Sequence, residues 1–137
     1  MAFGTEITLV SSRTDTANVT ASDGTAYTTA DQYRRGAFIL SVTAITSVTL
    51  SVAIQSYING FWTDIARFAD VTTVSTRVLW DVGGTVNTST TTEEATQDLA
   101  ITAGSKRAGP MGAQIRPTWT IASAGTVTWS CVGFLQA

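Results

Sequence analysis

Between residues 36 and 58 the side chains change character at every step, and no other feature constrains the fold as much. Phe38, Leu40, Val42 and Ala44 fall on one side of an extended chain, with Ile39, Ser41, Thr43 and Ile45 on the other. Past Ser47 the alternation resumes, with Val48, Leu50, Val52 and Ile54 against Thr49, Ser51, Ala53 and Gln55. A period of two sends successive side chains to opposite faces of a strand, and β-branched residues suit that pleated surface. The pattern returns over residues 74–82, where Val74, Thr76, Val78, Trp80 and Val82 are in phase. It returns again over 114–122, with Ile115, Pro117, Trp119 and Ile121 on one face. Over 125–135, Val127, Trp129, Cys131 and Gly133 oppose Thr128, Ser130, Val132 and Phe134. In-phase aliphatic neighbours predict a buried Trp80, Trp119 and Trp129.

The remaining strands are shorter. Residues 6–12 read as a first strand, with Ile7, Leu9 and Ser11 opposite Thr8 and Val10. Residues 18–29 hold a Ser22-Asp23-Gly24-Thr25 turn signal between two polar strands, and residues 97–102 read as a further short strand. Asn59-Gly60 supplies two adjacent positions tolerant of positive φ, a strong hairpin cue. A two-residue turn pairs Ile58 with Phe61, but continued unbroken it sets Arg67 against Val52; a bulge near Ala66, or a longer loop, instead turns Phe68 inward. Pro117 has no amide hydrogen, so its strand is at an edge or bulged there. Residues 83–92 and 103–112 read as loops. The expectation is an all-β chain, an antiparallel jelly-roll-like β-sandwich of about eight strands. Residues 1–137 make one domain, with 1–5 as a contact arm. At 137 residues the chain is long enough to bury a core without disulfide or metal.

Composition removes most chemistry. The chain has no histidine and one cysteine, Cys131, so His-based catalysis, an intrachain disulfide and a paired-cysteine zinc site are excluded. Nucleotide-binding glycine motifs and a GxSxG nucleophile elbow are absent. Lys106 is the only lysine, and its neighbour Ser105 is not thereby placed near its amine. No spacing brings Asp64, Asp70, Asp81 or Asp98 together as an acid pair, and no calcium-loop pattern occurs. The expectation is no enzyme, no cofactor and no metal. A net charge of −2 gives no basic excess for nucleic acid, and no apolar run spans a membrane. The first residues lack the basic and apolar regions of a signal peptide, the pattern of a protein made in the cytoplasm.

Only 13% of residues are charged, and 26 Thr and 12 Ser supply most of the polarity. Solvated faces of free monomers usually carry Lys and Glu. This chain has one Lys and three Glu, a composition suited to an exterior that rests against other subunits. Interface candidates follow from what stands out. Phe3 sits on a terminal segment too short to bury itself. Arg34-Arg35 and Lys106-Arg107 are basic pairs suited to acidic partner surfaces. Tyr57, Phe61 and Trp62 surround the hairpin tip, where aromatics could also stack on a sugar.

Two segments carry a likeness. Residues 47–68, SVTLSVAIQSYINGFWTDIARF, and 115–135, IRPTWTIASAGTVTWSCVGFL, resemble segments of small β-sandwich structural proteins of tailed bacteriophages, most of all head decoration (cement) proteins. The resemblance implies a non-enzymatic virion protein on the outside of a capsid, made in the host cytoplasm. Its partners would be the major capsid protein or another virion protein, and its own copies in a homo-oligomer, a trimer in preference. The alternatives are another virion part, a tail or head–tail connector subunit, or a carbohydrate-binding module using the Tyr57–Trp62 tip.

Overall fold

The computed structural model describes residues 5–16, 19–22, 27–28, 35–58, 60–83, 101–106 and 114–136. Among them are ten strands and no helix: β1 (Thr5–Thr16), β2 (Val19–Ser22), β3 (Tyr27–Thr28), β4 (Arg35–Thr46), β5 (Thr49–Ile58), β6 (Phe61–Arg67), β7 (Ser75–Val82), β8 (Ser105–Lys106), β9 (Gln114–Ala122) and β10 (Thr126–Gln136). They form two antiparallel sheets. The first runs β1-β10-β4-β7, and the second β2-β9-β5-β6-β8 with β3 also on β9.

The pairing order is that of a rolled hairpin. Without the two-residue strands β3 and β8, the first strand pairs with the last (β1·β10) and the second with the second-last (β2·β9). The third pairs with the third-last (β4·β7), and the two middle strands pair at the turn (β5·β6). Rolling that long hairpin then joins β10 to β4 and β9 to β5. This is the jelly roll, two sheets closed over one core. Phe38, Leu40, Leu50, Ile54, Phe68, Ile115, Ile121, Trp129 and Leu135 are fully buried between them.

The hairpin closes as its residues dictate. Gly60 takes φ +93°, and Ile58 pairs with Phe61, Tyr57 with Trp62, Ser56 with Thr63 and Gln55 with Asp64. The register then shifts, so that Ile54 pairs with Ala66 and Ala53 with Arg67. The one-residue bulge at Ile65 spares Val52 the guanidinium of Arg67 and buries Phe68 beside it, the Phe68 amide donating to the Val52 carbonyl at 3.0 Å.

Two strand connections cross from one sheet to the other at the same corner. β4 leads to β5 through Ser47, at φ 58°, and β9 leads to β10 through Ser123, at φ 76°. The corners are laced together, Thr46 pairing with Thr126 in one sheet and Thr49 with Ala122 in the other.

One local reading, the strand at residues 97–102, is corrected, and two others are placed. β2 and β3 both run antiparallel to β9, and residues 23–26, which hold most of the turn signal, lie outside the described residues. Pro117 is paired with Ile54 on the β5 side. On its other side β2 ends at Ser22, opposite Thr118, and β3 begins at Tyr27, opposite Ile115, so among the described residues β9 is a local edge at Pro117, as its missing amide hydrogen requires. Ile101 and Thr102 are not strand; the short strand there is Ser105–Lys106, and 97–100 lie outside the described residues.

The largest correction is β7. Trp119 and Trp129 are buried as expected, but Trp80 is 69% exposed. Phe38 pairs with Leu79 and Gly36 with Val82, so Trp80 and Asp81 together oppose Ala37. That extra residue reverses the phase: Leu79 packs on the core, Val82 is buried, and Trp80 turns outward.

Cys131 is buried in the core, where desolvation pushes its thiol up to about 12. The unfolded thiol ionises from about pH 9, so the folded state loses stability as pH rises from there toward 12. Urea titrations of the parent and of Cys131→Ala at pH 7 and pH 10.5 check this: the parent should lose more on the alkaline step. A thiol reagent at pH 8 should label Cys131 only in denaturant.

Candidate interaction surface

The outer faces of the two sheets differ in chemistry. On the second sheet, cross-strand register lines up Arg116, Gln55 and Asp64. The Arg116 Nε donates to Gln55 Oε1 at 2.9 Å, and Gln55 Nε2 donates to Asp64 Oδ1 at 2.9 Å. Beside this row the Tyr57 and Trp62 rings meet at 5.2 Å, and the Arg116 guanidinium stacks 4.3 Å from the Trp62 ring. Gln55 and Asp64 are buried. This is a polar, internally bonded surface.

The first sheet presents the opposite. One row across it is Glu6, Phe134 and Ala37, with Trp80 beyond; the next is Thr8, Val132, Ile39 and Val78; then come Ser130, Ser41 and Thr76. Phe134 is 39% exposed and Val78 36%, while Ile39, Val132 and Ala37 are half-buried. Among the described side chains the only charges on this face are Glu6 and Arg35, both at one end. Strands apolar on both faces belong between two layers, and among the described residues β4 and β10 have a layer on one face alone. The Trp80 carbonyl, at the bulge, accepts a hydrogen bond from Lys106 Nζ, which fixes the strand end that carries the indole.

The residues singled out from the sequence scatter over the molecule. Tyr57 and Trp62 share the outer face of the second sheet, while Phe61, opposite Ile58, lies on the other face of its strand. Arg35 stands at the end of the apolar face, and Lys106 is engaged with β7. Phe3, Arg34 and Arg107 lie outside the described residues, as do residues 84–92. Trp80, Val78, Ile39, Val132 and Phe134 escaped notice, although Val132 and Phe134 between Cys131, Gly133 and Leu135 make a strand apolar on both sides.

Arg13 binds Asp15 through two hydrogen bonds of 2.7 and 2.8 Å, and Trp129 Nε1 donates to the same carboxylate at 2.9 Å. This cluster ties β1 to β10 and is structural. Among the described residues no group of His, Cys, Asp and Glu is placed to hold a metal ion.

No family model matches the chain, and neither a curated protein nor a solved structure is found similar to it.

Proposed function

We propose that the chain is a non-enzymatic structural subunit of a virion, a decoration protein bound in many copies to the outside of a phage capsid. The observation that carries an association role is the apolar outer face of the first sheet, charged among the described side chains only at one end. A solvated sheet face normally bears charged side chains, whereas subunit interfaces are depleted of them and enriched in aromatics. The virion setting rests on the resemblance of residues 47–68 and 115–135 to phage head proteins. The contacts to the particle are assigned to the terminal segment bearing Phe3 and to Arg34, Arg35 and Arg107. Arginines on a charge-poor domain give orientation and register, and repeated weak contacts add through effective concentration.

The test is loading onto capsids that lack the protein. Deleting residues 2–5, or changing Arg34, Arg35 and Arg107 to Ala, should leave the fold intact and weaken loading. The arginine effect should be largest at low salt. Variants that load like the parent overturn the assigned contacts. A parent that never loads but is retained on a glycan column replaces the virion reading with carbohydrate binding at Tyr57 and Trp62.

A further inference from the structure

We infer that the outer face of the first sheet is where a second copy of this chain docks, about a two-fold axis running between β10 and β4. The inference deepens the proposed function and rests on its premise that this face is an association surface.

Area comes first. Four strands spaced ~4.8 Å apart, with about eight residues each at ~3.3 Å, give a footprint of roughly 500 Å². A specific interface needs on the order of 500 Å² or more from each partner, so this face is large enough without further elements. Its core is supplied by Trp80 and Phe134, 69% and 39% exposed.

Self-complementarity decides the occupant. An isologous interface sets each residue against another of the same surface. The proposed axis exchanges β10 with β4 and β1 with β7. Phe134 then stands over the partner's Ala37, a large side chain over a small one, and this happens twice. Val132 meets Ile39, Thr8 meets Val78, and Ser130 meets Ser41. Trp80 falls on Glu6, where its indole N–H has a carboxylate to donate to. No two like charges meet among these pairs. A strongly acidic or basic partner would find no counter-charge in the middle of the face, whose charges Glu6 and Arg35 sit at one end. The twist of each sheet crosses the strands by about 30°, the usual aligned packing.

Sedimentation equilibrium over a range of concentrations reads the assembly state, and far-ultraviolet circular dichroism confirms the fold of each variant. The parent should be a reversible dimer. Phe134→Asp and Ala37→Lys should each be monomeric. Mixed one to one, they should form a heterodimer, because the introduced carboxylate then faces the introduced ammonium while the other Phe134–Ala37 pair stays native. If Phe134→Asp fails to fold, Trp80→Asp carries the test, since it sets carboxylate against Glu6 and should weaken dimerisation at least tenfold. A parent that stays monomeric at millimolar concentration overturns the inference, as does a trimer or a mixture that stays monomeric. Particle loading is read separately. A dimer that never loads sinks the virion reading and leaves the interface standing, and a monomer that loads does the reverse.

Discussion

Gly125→Ala should destabilise the domain by about 3 kcal/mol or more, at the upper end of what overpacking costs. A Cβ on Gly125 would clash with the Thr46 carbonyl oxygen, far inside van der Waals contact, and would sit 3.0 Å from Val48 Cγ1. The oxygen cannot give way cheaply. Thr46 pairs with Thr126 in the first sheet, and three residues later Thr49 pairs with Ala122 in the second. Moving either corner therefore strains ladders in both sheets. Ser47, between them, already holds φ 58°, a conformation that costs a non-glycine residue about 1–2 kcal/mol.

Gly60→Ala separates crowding from backbone preference. Gly60 has φ +93° but open space around the position of a Cβ. Its substitution should cost about 1–2 kcal/mol, the conformational part alone. Urea titrations of the two variants should show the Gly125 midpoint falling much further, with unchanged slope. Equal losses would mean that the close approach at Gly125 relaxes at little cost.

Most of the architecture was legible because a two-residue period is a local signal. The conflict in the hairpin was legible too, since Arg67 opposite Val52 is visible in the sequence; that one extra residue in β6 resolves it, and not a longer loop, is decided by the register. The bulge in β7 was not. Val78, Trp80 and Val82 alternate without a flaw, and nothing in them reveals that Leu79 packs on the core instead. The requirement lies across the sheet, where Ala37 must face two residues. The same holds for the row Arg116–Gln55–Asp64. Tyr57 and Trp62 meet through a turn two residues long, but Arg116 reaches them only through the register of β9 on β5, a contact between distant parts of the chain. The apolar outer face stood in plain view in β10, whose side chains are apolar in both phases. Reading each strand for its buried face alone hid it.

Trp129→Ala should cost more than any other side-chain truncation in the core, about 4 kcal/mol or more, and Trp80→Ala almost nothing. Large aromatic truncations in cores cost about 3–5 kcal/mol. Trp129 is 1% exposed, meets Trp119 edge-on at 5.3 Å and donates to Asp15 at 2.9 Å. Removing the ring opens a cavity and strips a donor from a carboxylate that is itself buried. Arg13 still holds Asp15 by two bonds, so the polar part should be partial. Trp129→Phe isolates it: most of the packing stays, the hydrogen bond goes, and about 1–3 kcal/mol should be lost. Trp80 is a test of the opposite kind. With 69% of its surface in water it makes few contacts within its own chain, and in dilute solution its truncation should stay within about 0.5 kcal/mol. Its effect belongs to the association equilibrium, and should appear as a weaker dimer. A large loss of monomer stability in Trp80→Ala would mean that the indole packs inward, which would remove both the β7 bulge and the apolar face built on it.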